Sequence, residues 1–222
     1  MTVFLPLATL LSLVYVAQLA TDRPASGHPL RSATKTGATL GLAALGLATA
    51  APGLIVLGLA LGAAGDFFLS RPGQKMFLAG MAAFAAGHLA YVAAFWARGA
   101  ALGQAPLSGH TPALIALGLV VLALGLWLSS KAGPLRLPVL GYALVIGLMA
   151  AAALILPLSP GRDLIQAGAA LFLLSDTLLA LRLFASPPAA HKPLDLAVWP
   201  AYWLGQALIL WGSHSYWAYP PG

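Results

Sequence analysis

Eight times the chain returns to an apolar run of roughly helix-spanning length, near residues 2–20, 36–51, 53–70, 76–97, 112–129, 135–156, 164–184 and 195–214. At about 1.5 Å per residue, about 20 apolar residues in a helix cross a hydrocarbon core of about 30 Å. The runs are rich in Leu and Ala and show no dyad alternation, so barrel strands do not fit. Composition agrees. Only 7% of the 222 residues are charged, against about 25% in a soluble globule, and mean hydropathy is +0.90. A cytosolic enzyme, a disordered tail and a nucleic-acid binder are all excluded by so bare a surface. The expectation is an all-α integral membrane protein, a bundle of eight transmembrane helices forming one domain over residues 1–222.

The count turns on Ala50-Ala51-Pro52-Gly53, which carries no charge. A single helix over 36–69 would run about 50 Å, too long for one crossing, and Pro-Gly is a strong turn signal. Charge gives an independent argument. With eight spans, Arg23, Arg31, Lys35, Arg71, Lys75, Lys131, Arg136, Arg182 and Lys192 fall on one side, and only Arg98 and Arg162 on the other. Merging the second and third runs would erase that asymmetry. The positive-inside rule therefore predicts eight helices with both termini on the non-cytoplasmic side. The first run has no basic residue before it and no clear small-x-small site, so it reads as a retained helix rather than a signal peptide.

Against this background, polar residues inside the runs stand out. All five acids are Asp, with no Glu and no Cys. Asp22, Asp163 and Asp195 sit at predicted helix ends, where an acid caps or faces water. Asp66 and Asp176 lie within the third and seventh runs, where a carboxylate costs about 2.5–3.5 kcal/mol even on a lenient scale. Both are predicted in the cytoplasmic half, at similar depth, where they can face one cavity. His88 and Tyr91 share a face of the fourth run, and Tyr202 and Gln206 a face of the eighth. Tyr142 lies in the sixth run, and Lys35 opens the second. No HExxH, phosphate loop or G-x-S-x-G elbow is present, so no metal is expected. Gly58-x3-Gly62 and Gly37-x3-Gly41 read as helix-packing motifs. The third and fourth runs echo the seventh and eighth, as a parallel repeat would.

Gly65-Asp66, then Gly80-x3-Phe84-x3-His88-x2-Tyr91, then Gly168-Ala-Ala-Leu-Phe172-x2-Ser175-Asp176-x2-Leu179-Ala180, then Tyr202-x3-Gln206 resemble the YhhN-like membrane proteins, the lysoplasmalogenase family. The likeness runs from Lys35 to about Gln206; where relatives commonly carry Lys-Pro, this chain has Lys35-Thr36. The resemblance implies hydrolysis of the vinyl-ether bond of lysoplasmalogens to a fatty aldehyde and a glycerophospho-base. It implies a lysophospholipid substrate within membrane lipid, no cofactor, and residence in a bacterial inner membrane.

That chemistry begins with proton transfer to the β-carbon, leaving an oxocarbenium-like cation that water then traps. It needs a protonated acid and a carboxylate, the division of labour of paired acids in glycoside hydrolysis. Asp176 is expected to act as the acid and Asp66 as the carboxylate, or the two in reversed roles, with one titratable hydrogen between them. His88, Tyr91, Tyr142, Tyr202 and Gln206 would orient water and the polar end of the substrate, and Lys35 or Arg71 would hold its phosphate. The same carboxylates and histidine would also equip a proton-coupled transporter, which stands as the alternative. A metal-dependent amide or ester hydrolase and a lipid-binding scaffold fit the residues less well.

Overall fold

A computed structural model describes residues 3–21, 28–103 and 109–220. Eight α-helices, and no strand, occur among them: α1 (Phe4–Ala20), α2 (Pro29–Ala48), α3 (Gly53–Leu69), α4 (Gln74–Ala101), α5 (Thr111–Lys131), α6 (Arg136–Leu154), α7 (Arg162–Phe184) and α8 (His191–Ala218). The segments Gln74–Ala101, Thr111–Lys131, Gly133–Leu154 and Arg162–Phe184 are each long and apolar enough to cross a membrane. The apolar helices α1 and α3 are shorter, at 17 residues each. Asp22 and Arg23 lie outside the described residues.

The uncharged junction divides two helices. The Ala51 amide donates to the Gly46 carbonyl at 2.8 Å and that of Ala50 to Leu47 at 3.2 Å, with Ala50 at φ 52°. These are the two bonds of a Schellman cap, closed here by alanine in the left-handed region. Pro52, which cannot continue α2, then opens α3.

Several helices begin earlier or end later than the apolar runs suggest, and in some of them a charged residue inside the helix has a partner. The second helix does not start at residue 36. Pro29 sets the helical φ at its first position, so Lys35 lies nearly two turns inside α2. Arg31, buried on the same helix, donates to the Gln18 carbonyl at the end of α1. Asp195 does not cap or face water: α8 already begins at His191, and Asp195 pairs with Arg182 of α7 at 2.8 and 3.1 Å. Asp163, by contrast, is exposed in the first turn of α7. Arg98 is buried at the far end of α4 and ties it to the carbonyls of Tyr216 and Trp217.

The most extensive helix contacts are α3 on α4 and α7 on α8. Both rely on missing side chains. A Cβ at Gly58 would lie 2.4 Å from the Tyr91 ring, and one at Gly205 would lie 2.8 Å from the Gly168 carbonyl. With lipid outside as apolar as the core, such close backbone approach is what holds helices together. One buried cluster draws on every helix except α5. That helix packs mainly along α6 and meets α7 more sparingly. Leu13, Trp96, Leu119, Leu148 and Trp211 are among the large apolar side chains on the outside, the exterior of a membrane protein rather than a water-soluble one.

Candidate active site

Lys35, Asp66, Tyr142, Asp176 and Tyr202 line one cavity of about 680 Å³. Asp66 lies three residues before the end of α3 and Asp176 eight before the end of α7, so both helices contribute their C-terminal portions. The remaining wall is apolar and comes largely from α5, α6 and α7, through Val121, Leu124, Ile146, Leu173 and Leu174. A polar end and a long greasy end therefore meet in one space.

Asp66 is 1% exposed and its carboxylate is enclosed by three helices. Lys35 Nζ of α2 stands 3.1 Å from Oδ1. The hydroxyls of Thr39, also on α2, and Tyr202 of α8 donate to Oδ2 at 2.7 and 2.9 Å. A second layer supports Tyr202. Gln206 Nε2 reaches its hydroxyl at 3.5 Å, and Tyr91 donates to Gln206 Oε1 at 2.5 Å. Gly62 makes room for this layer, since a Cβ there would lie 2.7 Å from Gln206 Nε2. The Gly58-x3-Gly62 motif is thus a packing surface, and Gly41 likewise admits Ala8 of α1 at 2.8 Å.

Asp176 has different company. Tyr142 of α6 donates to Oδ2 at 2.5 Å, His88 Nε2 of α4 lies 3.4 Å from the same oxygen, and Ser175 donates to Oδ1 at 3.2 Å. Tyr142 has one hydroxyl hydrogen, and Asp176 receives it. The 3.1 Å contact between His88 Nε2 and Tyr142 therefore has the imidazole as donor, which puts a hydrogen on Nε2. His88 is buried, with its Nδ1 unpartnered among the described residues, and its ring packs edge-on against Phe172 at 4.6 Å.

Phe172 packs against both groups, since its ring also meets Tyr202 at 5.1 Å. The structure thus brings both acids to one cavity but gives each its own set of hydrogen-bond partners. The expectation of a single hydrogen held between the carboxyls does not match this arrangement: the charged group against Asp66 is the Lys35 ammonium, and the partners of Asp176 are Tyr142, His88 and Ser175. Nor is Lys35 a free cation for phosphate, and Arg71 lies over the Phe67 ring at 4.6 Å. His88, Tyr91 and Gln206 act behind the wall, through Tyr142 and Tyr202, rather than lining the cavity.

Thr39 and the aromatic rings of Phe84 and Phe172 carry no mark of their own in the sequence that singles them out. Thr39 is four residues from Lys35, hence on its face of the helix, and that spacing was the available signal. Phe84 and Phe172 lie inside the quoted motifs, where an apolar residue in an apolar helix carries no chemical signal of its own.

The profile of the YhhN family matches residues 30–213 of the chain. No curated protein matches it, and no solved structure does.

Proposed function

We propose that this chain, which belongs to the YhhN family, is an intramembrane hydrolase that cleaves the vinyl-ether bond of lysoplasmalogen-type lipids to a fatty aldehyde and a glycerophospho-base. The observation that carries the reading is the cavity itself. Two aspartates with unlike partners look into one space whose other end accepts an alkyl chain. All eight helices are taken as spans of a single domain, with both termini outside a bacterial inner membrane. The distribution of Lys and Arg supports that topology.

In this scheme Asp176, 12% exposed, is the general acid. Tyr142 and His88 grip Oδ2, leaving Oδ1, with the Ser175 hydroxyl as its contact, to carry the proton toward the β-carbon of the alkenyl chain. Proton loss leaves an Asp176 carboxylate without a cationic partner, close to the oxocarbenium carbon, and their attraction is strong in a dry site. Asp66 cannot fill that role as well, since Lys35 already offsets its charge. It instead orients the attacking water and the polar end of the lipid, with Lys35 and Tyr202. Water adds, Asp176 recovers a proton from it, and the hemiacetal collapses to aldehyde and alcohol. The chain enters sideways, where α5 leaves α7.

The test is to incubate purified protein with an alkenyl lysolipid and with its saturated alkyl counterpart. Long-chain aldehyde from the alkenyl form alone is the expected result, because a saturated ether offers no carbon to protonate. Proteoliposomes that accumulate labelled solute while releasing no aldehyde would favour the transporter instead.

A further inference from the structure

Of the chain's four lysines, Lys75, Lys131 and Lys192 are exposed, and among the described residues Lys35 alone lines the cavity. It projects from the interior of a helix into a space with an apolar arm, and its ammonium lies 3.1 Å from a carboxylate that is itself 1% exposed. A primary amine held in a largely apolar pocket beside a fixed proton acceptor is the arrangement that forms imines with carbonyl compounds. We infer that Lys35 is a covalent capture site for long-chain aldehydes, forming a reversible imine in the cavity.

The step balances without any further reactant. Asp66 borrows a proton from the Lys35 ammonium, and the free amine attacks the carbonyl carbon. The C–N bond forms as the carbonyl electron pair moves to oxygen, which takes up the proton to give a carbinolamine. Asp66 then takes a proton from the nitrogen and returns it to the hydroxyl, the freed nitrogen lone pair expels water, and C=N forms. In sum, an ammonium and an aldehyde give an iminium and one water. The positive charge stays on nitrogen, so the iminium inherits the ion pair with Asp66, and Thr39 and Tyr202 continue to hold the carboxylate. The alkyl chain lies along Val121, Leu124 and Leu173 in the apolar arm. This inference rests on the hydrolase reading only for the source of the aldehyde. If that reading holds, the product would be retained at Lys35 until water reverses the step.

The experiment supplies the aldehyde directly and so does not depend on turnover. Full-length protein in detergent is exposed to hexadecanal and sodium cyanoborohydride, and alkylation of each lysine is followed by peptide mass spectrometry. The expected result is reductive alkylation of Lys35 at least roughly tenfold faster than of Lys75, Lys131 or Lys192, as a bound carbonyl beside the amine requires. Hexadecanol, which fills the arm but has no carbonyl, should slow labelling at Lys35 and leave the other three unchanged. Lys35→Arg, which keeps the cation beside Asp66, should lose the adduct. Labelling of Lys35 no faster than of the exposed lysines in the wild-type protein, whatever the variant does, would overturn the inference. Cleavage of alkenyl lysolipid without selective labelling would refute capture and leave the hydrolase standing, and the converse result would do the opposite.

Discussion

Asp66 and Asp176 begin as near equivalents. Each lies in the C-terminal portion of a helix of mostly small and apolar residues, facing the same cavity. Their surroundings make them different. Asp66 has an ammonium at 3.1 Å and two hydroxyls. Asp176 has hydroxyls and an imidazole and, among the described residues, no Lys or Arg against its carboxylate. A neighbouring cation favours the charged form of a carboxylate and burial disfavours it, so partners as well as depth set the chemistry of each acid. A matched pair of acids in sequence can therefore become an unmatched pair in chemistry, and the difference lies in residues other than the acids.

The largest test of that contrast is Asp176→Asn. It removes the transferable proton while keeping shape and most hydrogen bonds. Aldehyde release from alkenyl lysolipid should fall roughly 10²- to 10⁴-fold, with thermal unfolding in detergent little changed. Asp66→Asn should behave differently, because it strands the Lys35 charge. A stability loss of about 3–5 kcal/mol is expected for a half-broken buried pair. Adding Lys35→Met should restore most of it, read as the unfolding midpoint of the double variant. If Asp66→Asn were as stable as Asp176→Asn, the two acids would not differ as argued.

Smaller effects sharpen the comparison. Tyr142→Phe withdraws one of the groups on Asp176 Oδ2 and leaves the His88 Nε2 hydrogen less well placed, at a cost of about 1–3 kcal/mol. The loss should fall mainly on turnover. Tyr91→Phe acts three hydrogen bonds away from Asp66, through Gln206 and Tyr202. A loss of about 1 kcal/mol should show in unfolding more than in aldehyde release.

Much of the helical frame could be read in advance, since apolar runs and the Pro52-Gly53 break leave few other solutions. The acids were legible for the same reason: a carboxylate in an apolar run is conspicuous. Lys35 was misread because a lysine near the start of an apolar run looks like the edge of a span. Only the fold brings Asp66 within 3.1 Å and makes it an interior residue. Asp195, expected at a helix end, and Arg31, expected outside the second run, both fall inside helices with a partner on a neighbouring helix. Phe172 was legible as core but not as the ring that touches both groups, since His88 and Tyr202 come from α4 and α8, distant in sequence.

The central claim, that an acid in this cavity protonates the alkenyl β-carbon, is tested most directly in heavy water. Alkenyl lysolipid is turned over in D₂O, the aldehyde is reduced as it forms to stop exchange, and the product alcohol is analysed by mass spectrometry and NMR. The account predicts a single deuterium on the carbon next to the former carbonyl, at a rate that collapses in Asp176→Asn. Aldehyde released by the wild-type protein without deuterium at that carbon would contradict it.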